Sequence, residues 1–178
     1  MKTRKALLLL IAVLLIFTAG CGKEEVKPAF DGNDANEPVV FDYATEDVNG
    51  NSVFTLDIFS ENEYTMVNVW ASWCGPCIGE LEDIQKLSEE YSSQGIGIIG
   101  LLSDGTDPEG LADAKEIMNS KNILYTNIIM TDEMDRVLRI SVVPTTFFVD
   151  RNGQIVGDKI YGAYIDQYRD VLDELLGK

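Results

Sequence analysis

At 178 residues, 46% of them hydrophobic and 25% charged, the chain is long enough for one globular domain with a substantial core. Its 30 acidic residues against 14 basic ones give a formal net charge of −16, which argues against nucleic acid and anionic lipid as electrostatic partners. Histidine is absent, which excludes Cys/His zinc sites, Ser-His-Asp triads and Cys-His protease pairs.

Residues 1–20 read as a targeting segment. Lys2, Arg4 and Lys5 form a basic start, Ala6 to Phe17 is a continuous apolar run, and Thr18-Ala19-Gly20 is small. Without these residues, which carry three positive charges and no acid, the charge becomes −19. Small residues ending in Gly immediately before Cys21 resemble the lipobox of bacterial lipoproteins, with Thr18 where that family most often has Leu. The resemblance implies a signal peptide over 1–20 and a lipidated Cys21 as the new N-terminus. The protein would then sit at the cell membrane, lipid-anchored and facing outside the cytoplasm. An uncleaved signal anchor is the alternative, and either places the chain where disulfides persist. Residues 21–38, the lipidated cysteine and an acidic stretch rich in Lys, Glu, Asp, Asn and Gly, read as a flexible linker with a reach of roughly 20–25 Å.

From Val39 the pattern becomes that of a folded domain, residues 39–178. Val39-Val40-Phe41 and Val53-Phe54-Thr55-Leu56 flank Asn49-Gly50, which predicts a β-hairpin over 40–56. Asp57 to Asn62 is a short helical or irregular connection, and Tyr64 to Ala71 an apolar, buried strand. A helix is predicted from Cys74 to about Ser93, and Ile96 to Leu102 is an uninterrupted apolar strand of the kind covered on both faces. Asp107 and Pro108 suit the cap and first turn of a helix running to about Ser120. Tyr125 to Met130 reads as a strand, and Thr131-Asp132-Glu133 opens a short helix. Thr145 to Asp150, the turn Asn152-Gly153, and Gln154 to Lys159 form a second hairpin. Tyr164 to Leu176 is an amphipathic helix, apolar at Ile165, Tyr168, Val171, Leu172 and Leu175. Alternating β and α units followed by a hairpin predict an α/β fold, with a central mixed sheet flanked by helices and an N-terminal hairpin extension.

Chemistry concentrates at Trp73-Cys74-Gly75-Pro76-Cys77, on the turn from a buried strand into a helix. A cysteine there faces unpaired backbone N–H groups and the positive end of the helix dipole, both of which favour the nucleophilic thiolate. Two cysteines at this spacing can close a small disulfide and reopen it by exchange. A static structural disulfide is a weak alternative, since so short a loop barely constrains the unfolded chain. Zinc is disfavoured, because two thiolates leave a tetrahedral site short of ligands. No other metal site or cofactor is expected; the acidic residues Asp104 to Glu109 and Asp132-Glu133 read as solvated loops and helix starts.

With Asn68-Val69-Trp70-Ala71-Ser72 before that motif, Glu80 after it and Val143-Pro144-Thr145-Thr146 further on, residues 39–178 resemble the thioredoxin superfamily. The best match is its TlpA/ResA-like group of membrane-tethered thiol-disulfide oxidoreductases. The resemblance implies a thioredoxin-like fold and a redox-active Cys74–Cys77 disulfide. In such a cycle Cys74 attacks a client disulfide and Cys77 resolves the mixed disulfide. Glu80 would be a buried proton acceptor for Cys77. Val143 and a cis Pro144, with Trp73, Gly75 and Pro76, would line the client groove. Asn68 stands where thioredoxins carry a buried aspartate and is expected to be a structural hydrogen bonder. Trp70 is expected to be core. Glu82 replaces a helix-kinking proline, and Val142 a small residue of the groove rim.

The resemblance also implies client proteins with disulfides, of the apocytochrome c or methionine sulfoxide reductase type, and a membrane thiol donor of the CcdA type. A monomer is expected. Gly-Pro between the cysteines matches thioredoxin, near −270 mV, and favours a reductant over a disulfide-forming oxidase. A non-catalytic binding lipoprotein on the same scaffold is the remaining alternative. A peroxiredoxin-type peroxidase is disfavoured, because Ala71 and Cys74, not threonine, stand three residues before the two cysteines.

Overall fold

The computed structural model describes residues 39–178. The expected signal peptide, Cys21 and linker lie outside the described residues. Five strands form the central sheet: β3 (Tyr64–Trp70), β4 (Ile96–Leu102), β5 (Asn127–Ile129), β6 (Thr145–Asp150) and β7 (Ile155–Tyr161). Ahead of them stand β1 (Ala44–Glu46) and β2 (Ser52–Phe54), a separate two-stranded hairpin. The helices are α1 (Thr55–Ser60), α2 (Gly75–Tyr91), α3 (Pro108–Ser120), α4 (Asp132–Leu138) and α5 (Ile165–Leu175). Among the described residues no helix is long and apolar enough to cross a membrane.

The sheet runs β5-β4-β3-β6-β7, parallel across β5, β4 and β3 and antiparallel at β6 and β7. This is a thioredoxin-like arrangement, with β3 at its centre. Burial on both faces explains why β3, β4 and β6 read as unbroken apolar runs. On one face Met66, Trp70, Ile98 and Phe148 pack with Leu81, Ile84 and Leu87 of α2 and with Tyr168 and Leu172 of α5. On the other, Val67, Val69, Phe147 and Val149 pack with Phe59 of α1, Met134 and Leu138 of α4, and Phe41. Phe41 meets Tyr43, Phe59 and Phe147 at ring-centroid distances of 5.1, 5.9 and 5.7 Å.

The leading hairpin is shorter than the predicted 40–56 span. Its register pairs Ala44 with Phe54 and Glu46 with Ser52, and Asp47 Oδ1 accepts from the N–H groups of Asn49 and Asn51 across the turn. Val40 instead bridges to Gln154, and Val39 accepts from the Ile155 N–H at 3.1 Å, because Phe41 is drawn wholly into the core. At the other end Thr55 leaves the strand. Its hydroxyl donates to the Phe41 carbonyl and accepts from the Tyr43 N–H, so Thr55 and Leu56 open α1. The β5 strand is also shorter than predicted. Asp107 caps α3 and Thr131 caps α4 as their sequence positions suggest. With Glu82 in place of a proline, α2 runs unbroken from Gly75 to Tyr91.

Candidate active site

Strand β3 delivers the cysteines to the carboxyl end of the sheet, where the chain turns into α2. Cys74 takes an extended conformation as the N-cap, and its sulfur accepts from the Cys77 N–H at 3.3 Å. Pro76 supplies a first-turn residue that has no N–H to satisfy. Cys74 and Cys77 form a disulfide, with Cα atoms 5.3 Å apart. The turn is held from the neighbouring loop by Asp104, whose carboxylate accepts from the Ser72 N–H and, at 2.7 Å, from its hydroxyl. Asp104 is therefore a fastening of the active-site turn rather than a solvated loop acid; nothing in its sequence surroundings marks this, because its partner lies 32 residues away.

Cys74 is more enclosed than its place at the turn suggests, being only 4% exposed against 0% for Cys77. Its sulfur sits 3.6 Å from the Val143 carbonyl oxygen. A disulfide sulfur carries no proton, so this is a close approach that becomes a hydrogen bond only in the thiol form. The Val143–Pro144 bond is cis. Thr145 anchors the same turn by donating its hydroxyl to the Val142 carbonyl. Trp73, Gly75, Pro76 and Val142 are exposed around the pair, Val143 is half-buried and Pro144 buried. A small cavity between Trp73, Met130, Asp135, Ile140, Val142 and Val143 opens beside the disulfide. Of the predicted groove residues, Trp73 and Val143 line this cavity.

Beneath the rim lies Glu80, 3% exposed, one turn beyond Cys77 on the same helix. Its Oε1 accepts from the Asn68 carboxamide at 2.8 Å and its Oε2 from the Tyr168 hydroxyl at 3.0 Å. Burial pushes the carboxyl up to about 7, although both hydrogen bonds pull the other way. Asn68 also donates to the Thr146 hydroxyl at 3.0 Å, so it is the structural hydrogen bonder expected from its place on β3. Trp70 is fully buried and donates its indole N–H to Asn127 Oδ1 at 2.8 Å. Tyr168 is the member of the site that periodicity conceals. It reads as one more apolar position on α5, but a buried phenol needs a polar partner, and that need was its signal.

The raised carboxyl has a thermodynamic consequence. Between its ordinary 4.5 and about 7 the native state binds more protons than the unfolded chain, so stability falls as pH rises through that window. Glu80→Gln keeps the shape and removes the ionisation. Relative to the variant, the wild type is expected to lose about 3 kcal/mol between pH 4 and pH 8, read from urea unfolding at the two pH values. A difference that does not change with pH would show that the carboxyl is not held high.

The sequence matches the Redoxin family over residues 27–172. Thiol-disulfide oxidoreductase ResA of Oceanobacillus iheyensis is 26% identical over 158 residues, 85% of this chain and 77% of that protein. Thiol:disulfide interchange protein DsbE of Haemophilus influenzae is 28% identical over 171 residues, 92% of this chain and 90% of that protein. A thioredoxin-family thiol:disulfide interchange protein from Chlorobium tepidum shares the fold with a TM-score of 0.66 at 23% identity, over 79% of this chain and 98% of its own. The chain belongs to the Redoxin family, and with Cys74 and Cys77 joined at the head of α2 it is a ResA- and DsbE-like thiol-disulfide oxidoreductase.

Proposed function

We propose that the protein reduces client disulfides outside the cytoplasm, tethered to the membrane through a lipidated Cys21. The observation that carries the reading is the pairing of a rim cysteine beside the Val143 carbonyl with a sealed cysteine one turn from a buried, high-pKa acid. In the dithiol form the Cys74 thiolate attacks one sulfur of the client disulfide, and the other client sulfur departs and takes up a proton. Cys77 then attacks Cys74, and the second client sulfur departs as a thiol. Two electrons pass from the dithiol to the client, and the Cys74–Cys77 disulfide is the oxidised product. Glu80 receives the proton that Cys77 must lose to attack, and a carboxyl near 7 suits that transfer at neutral pH.

Trp73, Gly75, Pro76 and the Val143–Pro144 turn bind the client as an extended segment, with the Val143 backbone as its pairing edge. Clients of the apocytochrome c or methionine sulfoxide reductase type fit this reading, as does regeneration by a membrane thiol donor of the CcdA type; the support for both is family resemblance. The redox potential tests the direction. Equilibration of the full chain with glutathione or thioredoxin is expected to give a value below about −200 mV. A value near the −120 mV of a strong oxidant would assign the protein to disulfide formation instead.

A further inference from the structure

Tyr168 has more acceptors in reach than its hydroxyl has protons. The phenol oxygen lies 3.0 Å from Glu80 Oε2 and 2.7 Å from the Gly162 carbonyl oxygen. A phenol donates once. With Glu80 ionised, the hydroxyl points at Oε2, and the Gly162 carbonyl loses that donor. With Glu80 protonated, the acid donates to the phenol oxygen and the hydroxyl turns to Gly162. Only Glu80 gains or loses a proton; the Tyr168 O–H changes partner and nothing more.

Gly162 is in turn joined to the groove. Its N–H donates to the Pro144 carbonyl at 2.8 Å, and its backbone, at φ +110°, belongs to the left-handed region that favours glycine. Just before it, Tyr161 at the end of β7 pairs with Thr145. A continuous path therefore runs from Glu80 through Tyr168 and Gly162 to the cis-proline turn beside Cys74.

We propose that Tyr168 is a positioning residue whose hydroxyl alternates between Glu80 and the Gly162 carbonyl with the protonation of Glu80, and so links the buried acid to the client-binding turn. The proposal takes from the exchange cycle only the role of Glu80 opposite Cys77. The titratable groups around Glu80 are Cys77 on its own helix, Tyr168 from α5 and Tyr125 from the segment before β5; Asn68 and Thr146 are neutral. Both phenols are pushed above their ordinary range, by burial first and by the Glu80 charge as well. In the disulfide form Cys77 has no proton to lose, which leaves Glu80 as the member of this set that titrates near neutrality.

The test uses the oxidised full chain in mild detergent, isotopically labelled, followed by NMR from pH 5 to pH 9. The Glu80 carboxyl carbon is identified by its loss in Glu80→Gln. The Ala163 amide nitrogen, which shares a peptide group with the Gly162 carbonyl, reports the switch. In the wild type Ala163 is expected to shift with the Glu80 midpoint. In Tyr168→Phe that midpoint is expected to rise by about one unit, because the carboxylate loses a donor, while Ala163 stops responding. In Glu80→Gln, with Tyr168 intact, Ala163 is expected to be flat, which supplies a second arm should Tyr168→Phe not fold. A wild-type Ala163 signal indifferent to the Glu80 titration overturns the proposal, as does one that still titrates in either variant. Insulin reduction by the same wild-type preparation, its disulfide first opened with dithiothreitol that also supplies the electrons for turnover, separates the failures: no acceleration over dithiothreitol alone with an intact Ala163 response overturns the reductant reading and supports the Tyr168 switch.

Discussion

Cys77→Ala is expected to stop turnover and leave the chain covalently attached to its clients through Cys74. The variant retains the rim cysteine, its cap hydrogen bond to the helix N-terminus and the Val143 turn, so the first exchange proceeds. What it loses is an intramolecular nucleophile. Well-oriented intramolecular groups act at effective concentrations of about 10⁵ M or more, whereas free thiols reach the mixed disulfide at millimolar concentration. Insulin reduction should therefore fall by at least about 10³-fold. Non-reducing electrophoresis should show client adducts that disappear on reduction and are missing from Cys74→Ala/Cys77→Ala, a control needed because Cys21 is a third cysteine in the chain. Unchanged turnover in Cys77→Ala, or adducts that persist in the double variant, would sink the assignment of attacking and resolving roles.

The second large effect concerns Gly100, at the middle of β4 between Asn68 on β3 and Asn127 on β5. A Cβ there would lie 1.8 Å from Asn127 Oδ1 and 3.0 Å from the indole nitrogen of Trp70. The carboxamide occupies that space because it accepts the Trp70 N–H and donates to the Tyr125 carbonyl. Gly100→Ala must overpack the site and break a buried hydrogen bond, each costing about 1–3 kcal/mol. Together these are a large share of the roughly 5–15 kcal/mol by which domains are stable. The thermal midpoint is expected to fall by about 10 °C. Gly79→Ala is the opposite case. On an exposed face of α2, with nothing near the added carbon, it should raise stability by about 0.5–1 kcal/mol through helix propensity. If Gly100→Ala melts with the wild type, the Trp70–Asn127 contact is not the constraint described.

The contrast between Gly100 and Trp70 indicates what a sequence of this kind reveals. Apolar runs at Tyr64–Trp70, Ile96–Leu102 and Thr145–Asp150 are legible as sheet interior, because burial on both faces leaves no alternation to misread. The cysteine motif is legible because its spacing, its helix start and its distant proline are separate signals that agree. Hydrogen bonds across long separations are not legible. Tyr168 reaches Glu80 over 88 residues and Trp70 reaches Asn127 over 57, and neither pair leaves a local pattern. The first hairpin is shorter than its apolar pattern suggests for a related reason. Val39-Val40 and Val53-Phe54 look like matched strands on either side of Asn49-Gly50, but the core claims Phe41 and the Thr55 hydroxyl claims its carbonyl.

That same leading segment reaches both borders of the central sheet. At one, Val39 and Val40 bond to the start of β7; at the other, Val48 donates to the Asn127 carbonyl, Asp47 bridges to Ile128 and Thr45 donates to the Ile129 carbonyl. A sheet border with free amides is a template for any extended chain that passes, and it invites fibrous self-association. By laying its own backbone along β5 and the start of β7, the leading segment occupies backbone groups there that a passing strand could otherwise pair with.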